Sequence, residues 1–400
     1  MIDKEEVQRF LNQFNSKMKV FGMWVFGKDV KEREIYIKIM LGCAGSQTIC
    51  ISFHIADYPL SYPFKTVEEK TMKSPFTGKE MKRIYESRLW KFRGEEYPYI
   101  HTAWLCEDSG EQFTDDASDT AGYIQVTNQY REKYGIPYTD EIVAIRKRYG
   151  VSAQKMSLIL GIGINQYRLY EQGEVPSVSN GRMIRSISNP KVMLDILESS
   201  RNELSDTEYK KLSEKIISEI AESEHHKIEQ YEINRVYRSA RGARNGYAPL
   251  SLCRLKNLML FLLENLQDVW CTKMNKLLFY IDFLSYRENG MAISGLSYKA
   301  IDFGPVPVRW DVIYSEFDEI HQELRSVGDF IGSVLTSTDK ADLSLFTESE
   351  IKVMEYVLEK FNNISSRDLS KLSHKESAWT NHHDLHEIIP FSEAFHLKAV

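Results

Sequence analysis

The stretch from Tyr138 to Pro176, YTDEIVAIRKRYGVSAQKMSLILGIGINQYRLYEQGEVP, restricts the fold more than any other part of the chain. It demands two short helices joined by a glycine turn. Ser152 is placed to cap a helix over Ala153 to Leu160, Gly161 supplies the turn, and a second helix is expected from about Asn165 to Gln172. At helical spacing Met156, Ile159, Leu160, Ile164 and Leu169 fall on an inner side, leaving Gln154, Lys155, Asn165, Gln166 and Arg168 outward. Those outward side chains are donors and acceptors for base edges and phosphates. The pattern predicts a helix-turn-helix that reads duplex DNA; a helical hairpin buried in a larger domain would not need polar forks at the start of its second helix.

Charge neither requires nor forbids that reading. The 400 residues carry 51 Lys and Arg against 57 Asp and Glu, a net charge of -6. A local basic face from Arg146, Lys147, Arg148, Lys155, Arg168, Arg182 and Arg185 is the expected phosphate contact, and a homodimer is expected in order to gather enough of them on a palindromic operator. The cysteines, Cys43, Cys50, Cys106, Cys253 and Cys271, are odd in number and form no Cys-x-x-Cys pair, and no basic-then-apolar leader opens the sequence. A reduced, cytoplasmic protein is expected. The longest apolar run, Leu258 to Leu263, is far short of the about twenty residues of a membrane span, so no membrane role is expected.

Residues 138 to 176 resemble the Cro/C1 repressor class, with Gln154 opening the second helix of that fold, Gly161 in its turn, and Tyr170 to Gly173 closing its recognition helix. The preceding text, SPFTGKEMKRIYESRLWKFRGEEY and WLCEDSGEQFTDDA, resembles the amino-terminal region of antitoxins of the motility-quorum-sensing-regulator type. That family binds zinc through two Cys-x-x-Cys knuckles. Here Ser74 and Thr77 stand where thiolates would be, and Cys106 alone remains in the second knuckle. Zinc needs about four N or S ligands, so the segment is expected to be metal-free and held by Trp90, Phe92, Tyr97, Trp104 and Phe113.

Residues 1 to 70 combine an expected helix from about Lys4 to Lys19 with β-type runs at Met23 to Phe26, Glu34 to Met40 and Thr48 to His54, which suit an antiparallel meander. They look like part of a small RNase-type toxin, and Met72 with KSPFTG looks like an antitoxin's own start, as in a gene fusion. Catalysis there would fall to Lys28, Lys38, His54 and Tyr58, although acid-base chemistry needs a complete cleft, and surface positions on a remnant sheet explain them as well.

Downstream, Asn189 to Ser200 is expected to be a helix with Pro190 in its first turn. A long polar helix over about Ser205 to Tyr237 carries a stripe too narrow for a core helix, and Arg238 to Pro249 is expected to be a solvated linker. The segment Thr272 to Tyr314 then predicts an amphipathic helix ended by Gly290, a hairpin about Gly295, and a Gly304-Pro305-Val306-Pro307 run whose backbone is fixed by its residue types. Alone, these features suggest a rigid helical domain with a preformed edge and no catalytic set. With SSRDLSKLSHKESAW (Ser365 to Trp379) and IIPFSEAF (Ile388 to Phe395), residues 250 to 400 closely resemble the Panacea domain of SocA-like antitoxins. What that resemblance implies is direct binding of a protein toxin, with Tyr280, Asp282, Tyr298, Phe303, Gly304, Pro305 and Pro307 as candidate contacts. Of the late histidines, His374, His382, His383, His386 and His396, the pair His382 and His386 lies one helical turn apart, but no acidic or thiolate ligand follows at matched spacing. They are expected to be structural or surface residues, with no metal and no cofactor.

The chain is therefore expected to be multidomain and mainly α: a β-rich toxin-like segment at 1–70, a zinc-ribbon-like β region at 72–128, a five-helix reader at 129–200, a long helix and linker at 201–249, and a mostly helical domain at 250–400. Two functions compete. One is a non-enzymatic antitoxin that neutralises a toxin and represses its own operator; the other is a toxin-antitoxin fusion with residual ribonuclease activity in residues 1–70.

Overall fold

The computed structural model describes residues 18–20, 23–30, 33–40, 49–55, 72–327 and 330–400, in two compact units, Met1–Lys70 and Thr71–Val400. It is a mainly helical, multidomain chain with small antiparallel sheets. In the first unit β1 (Met18–Val20), β2 (Met23–Val30), β3 (Arg33–Met40) and β4 (Ile49–Ile55) form an antiparallel meander in sequence order. Lys38 stands opposite Val25 and Ser52 and His54 opposite Tyr36, whereas Lys28 stands opposite Ile35. Because faces alternate along a strand, Lys38 and His54 share one face and Lys28 belongs to the other. The register thus does not gather the three lysine and histidine positions. Tyr58 and most of the helix expected over Lys4 to Lys19 lie outside the described residues, and Met18 and Lys19 are in a strand.

The second unit begins with a hairpin of β5 (Lys82–Phe92) and β6 (Glu95–Leu105), to which β7 (Gln112–Phe113) is added. Its turn, Arg93 and Gly94, has φ of 49° and 88°, the left-handed pair that matches the twist of a two-residue hairpin. Helix α1 (Asp116–Tyr134), capped by Asp115 and ended by left-handed Gly135, packs on β6 around Tyr97, Val126, Tyr130 and Ile136. It runs unbroken through the domain boundary expected at 128. The hairpin tip reaches the next module, where the Arg93 guanidinium donates to the carbonyls of Val175 and Pro176 at 2.5 and 2.7 Å.

Five helices follow: α2 (Thr139–Tyr149), α3 (Ala153–Ile159), α4 (Gln166–Glu171), α5 (Val178–Ser186) and α6 (Pro190–Ser199). Their core contains Ile142, Tyr149, Met156, Ile159, Tyr167, Tyr170, Ile184, Ile187, Met193 and Leu197. Leu212 and Ile216 of α7 (Asp206–Ala221) belong to the same core, so the first half of the long polar helix completes this domain rather than bridging away from it. The helix breaks at Glu222, and α8 (Ser223–Tyr237) follows.

The Gly- and Arg-rich segment 238–249 is not a solvated linker. Arg241 is nearly buried and forks onto both carboxylate oxygens of Asp140 at 2.8 Å, with its guanidinium 4.1 Å from the Tyr138 ring centroid; Asn245, Tyr247 and Ala248 are buried. Composition suggested flexibility, but Arg241 and Asn245 have partners that fix them, while Arg238 and Arg244 stay exposed.

The C-terminal module is built around α10 (Cys271–Asn289), buried over Lys273–Ser285; after the short α11 (Trp310–Ile313), α12 (Glu348–Phe361) and α13 (Ser366–Ser373) pack on it and share its core with α9 (Leu252–Asn265). Strands β11 (His321–Val327) and β12 (Phe330–Thr336) pair with each other and, through β12, with β8 (Val269–Trp270). The expected hairpin is displaced. β9 (Tyr298–Ile301) pairs with β10 (Gly304–Pro307), so the reversal falls at Asp302 and Phe303 rather than at Gly295, which lies in the loop after α10. A helix-ending Gly290 (φ +71°) lets α10 meet α1, since a Cβ there would lie 2.5 Å from the Ala121 carbonyl oxygen. Gly290→Ala should cost about 2 kcal/mol or more, from a left-handed non-glycine residue and a backbone clash, read as a lowered denaturation midpoint of the whole 71–400 unit. A second transition confined to one module, with the midpoint of the rest unchanged, would disprove this coupling.

Candidate partner-binding hairpin and DNA-reading helices

Helix α10 presents polar groups inward, and the sequence around it is arranged to satisfy them. Asp282 Oδ1 accepts the backbone N–H groups of Ile293 and Ser294 at 2.9 and 2.8 Å, and Oδ2 accepts the Tyr298 hydroxyl at 2.5 Å together with the Ser294 hydroxyl. Burial pushes this carboxyl above the usual carboxylate range, while the hydrogen bonds favour its charge. Tyr280 donates to Glu376 at 3.2 Å, and Glu376 also accepts the N–H groups of Lys398 and Ala399 at 2.8 and 3.0 Å. Lys276, fully buried, donates to the Pro305 carbonyl at 3.0 Å, and desolvation pulls its amine down to about 7.

These contacts explain the Gly-Pro-Val-Pro run. Gly304 has φ +94°, and a Cβ on it would meet Ser373 Oγ at 2.7 Å and Lys276 Cε at 2.8 Å. Only glycine fits over the buried amine. The prolines follow in β10, where all four residues are buried. Seven candidate contacts thus separate into two groups. Tyr280, Asp282 and Tyr298 are fully buried and Gly304, Pro305 and Pro307 are buried as well, so a partner reaches none of them without rearrangement. Phe303 stands at the turn with 70% of its surface exposed. The sequence marked the buried supports of the hairpin and its exposed tip alike, because both lie in the same motif.

The C-terminal segment extends the hairpin edge. Ala300 donates to the Glu387 carbonyl and Ile389 to the Tyr298 carbonyl, at 3.0 and 2.9 Å, and the Trp379 indole donates to the Ile301 carbonyl at 2.7 Å. This arrangement exposes Leu385 and part of Ile388 beside the tip. Residues 381–386 form turns rather than a helix, so His382 and His386 are not a one-turn pair; His383 and His386 instead face Asp302.

In the five-helix module, the Ser152 hydroxyl caps α3 by accepting the Lys155 N–H, and Gly161 (φ +63°) makes the turn. Buried Ser157 accepts the Tyr167 N–H at 3.0 Å and the Tyr167 hydroxyl donates to the Ile142 carbonyl at 2.9 Å, fixing α4 against α2 and α3. The inner side of α4 is Tyr167 and Tyr170. Ile164 and Leu169, expected inside, are exposed: Ile164 lies in the turn before α4, and Leu169 sits on the side of the helix away from Tyr167. Gln154, Asn165 and Arg168 are exposed; Gln166 donates to Glu174 at 3.2 Å, and Lys155 is paired with Glu208 at 2.8 Å. Arg146, Arg148 and Arg185 are likewise paired with Glu171, Glu219 and Glu141. Lys147, Arg168 and Arg182 are the exposed remainder of the basic face.

The two knuckle-like loops of the ribbon region oppose each other. Gly78 donates to the Ser74 carbonyl and Gly110 to the Cys106 carbonyl, both at 2.8 Å, with left-handed glycines in each. Thr77 Oγ1 lies 3.7 Å from Cys106 Sγ, and hydroxyls of Ser109 and Ser74 draw the thiol down to about 6. One thiol among hydroxyls is not a zinc donor set. Trp104, Phe113 and Met81 pack around it, while Trp90, Phe92 and Tyr97 pack on α1.

Lys276 gives the hairpin support a measurable signature. Unfolded, its amine titrates near 10.5; folded, near 7. Between those values the unfolded chain binds the extra proton, so stability rises with pH across about 7 to 10.5. Lys276→Met should raise stability at pH 7 and flatten that rise in denaturation at stepped pH; an unchanged slope would show that the amine is solvated.

Residues 274–380, from early in α10 to the end of α14 (Ser377–Thr380), match the family described as Antitoxin SocA-like, Panacea domain. No curated protein and no solved structure matches the chain. Among the described residues no helix is long and apolar enough to cross a membrane. The hairpin and its buried supports therefore lie in a region similar to an antitoxin domain.

Proposed function

We propose that this protein is an antitoxin that binds a protein toxin with the β9–β10 tip and represses its own operator as a homodimer through α3 and α4. The observation that carries the reading is the antitoxin-family match over residues 274–380, which takes in the whole hairpin. The geometry supports a division of labour. Asp282, Tyr298, Lys276 and Gly304 hold the hairpin rigid, and Phe303, with Leu385 and Ile388 on the paired segment, offers exposed apolar surface. A rigid aromatic anchor loses little entropy on binding. Trp310, 44% exposed, extends the apolar surface of the same module.

For DNA, exposed Gln154, Asn165 and Arg168 supply polar contacts, and exposed Ile164 and Leu169 suit thymine methyl groups. Asn165 caps α4 without a side-chain hydrogen bond, which leaves its amide available. Because much of the basic face is already paired with acids, one copy offers few phosphate contacts, and dimerisation is the means of multiplying them.

Two experiments test the reading. Arg168→Ala should weaken binding to the chain's own promoter fragment by roughly 1 to 3 kcal/mol. Glu208→Gln, which releases Lys155, should steepen the salt dependence of binding, adding close to one unit to the slope of log K against log salt. Unchanged affinity and slope would remove this face from the DNA interface. In growth rescue against a co-encoded toxin, Phe303→Ala should cost about 2 kcal/mol or more of toxin affinity while leaving promoter binding intact. Full rescue by Phe303→Ala would relocate the toxin contact.

A further inference from the structure

The fold supplies what the histidine-rich tail lacks in sequence. Asp302, at the turn of the β9–β10 hairpin, meets His383 and His386, and one ligand atom from each lies within 4.8 Å of the others. Asp302 Oδ1 is 3.1 Å from His383 Nε2 and 3.2 Å from His386 Nε2. Ligands about 2.1 Å from a tetrahedral zinc ion stand about 3.4 Å apart, so these separations need little adjustment. We propose that Asp302, His383 and His386 form a binding site for a divalent first-row transition ion of the zinc type, with water in the remaining position.

Its parts are held before any ion arrives. The pairing of Ala300 with Glu387 and of Lys299 with Ile388 sets Asp302 and His386 on adjacent segments. The His383 ring lies 4.2 Å from the Trp379 ring, which is fixed by its hydrogen bond to Ile301. His386 has φ +50°, a conformation costly for a residue with a side chain, and is held there by hydrogen bonds from the His386 and Glu387 N–H groups to the His383 and His382 carbonyls, both at 3.0 Å. On the far side of the His383 ring, the exposed Asp384 carboxylate lies 3.7 Å from Nδ1, close enough to add negative charge beside the ring but not a hydrogen bond. Both imidazoles would coordinate through Nε2 and keep their protons on Nδ1. Two nitrogens and one oxygen suit zinc and its neighbours in the series and do not suit magnesium or calcium, which prefer all-oxygen shells.

The test uses the full chain stripped with a chelator and titrated calorimetrically with Zn2+, then with Co2+ followed by absorption. One equivalent of Zn2+ should bind, unaffected by excess Mg2+, and Co2+ should give d–d bands without thiolate charge transfer. Asp302→Asn, His383→Gln and His386→Gln should each weaken binding, by about 100-fold or more for the histidines, since loss of an outer-shell partner alone costs 10–100-fold. His396→Gln and Cys106→Ser should leave it unchanged. The asparagine variant keeps the shape of the exposed turn, and melting of every ion-free variant at the parent temperature would separate ligand loss from unfolding. No stoichiometric binding, affinity indifferent to the three substitutions, or binding lost in Cys106→Ser would overturn the site.

Discussion

Burying a helix that carries charged side chains forces its surroundings to be specific. In α10 the carboxylate of Asp282, the amine of Lys276 and the hydroxyl of Tyr280 are all removed from water, and each would be destabilising without a partner. Their partners come from the 291–298 loop, from the Pro305 carbonyl and from Glu376. Satisfying them determines where the hairpin sits, why glycine must occupy position 304, and how the last residues of the chain close over the module. An apolar helix could have packed in several registers; this one has few that meet its hydrogen bonds.

The same economy governs the helical module over 139–221, where polar atoms rather than the greasy stripe set the geometry. Ser157 and the hydroxyl of Tyr167 hold α4 in place, and acidic residues of α4 and α7 occupy much of the basic face. Local ion pairing leaves a thinner cationic surface than the composition of the segment promises, so the electrostatic character of this module cannot be judged from the number of lysines and arginines alone.

Much was legible from the residues, and the failures have physical causes. Capping serines, turn glycines and helical spacing placed the short helices, and the Gly-Pro-Val-Pro run marked a rigid edge. Ile164 and Leu169 misled because aliphatic character was taken for burial, whereas Ile164 lies in the turn and the hydroxyl-bearing Tyr167 and Tyr170 fill the inner side of α4. The segment 238–249 misled because Gly and Arg suggest mobility, whereas Arg241 is pinned by Asp140 and Tyr138. The meeting of Asp302 with two late histidines could not be read at all, since strand pairing joins segments more than eighty residues apart.

The fork of Arg241 on Asp140 gives the molecule a mechanical continuity that its modular sequence conceals. Asp140 belongs to the opening turn of α2, while Gly246 accepts the Ala292 N–H of the C-terminal module at 2.9 Å and Tyr247, buried beside Tyr138, accepts the arginine's Nε–H through its carbonyl at 2.8 Å. The chain between the helical module and the C-terminal one is therefore held at its start by a guanidinium clamp on the first turn of α2, not left as a slack tether.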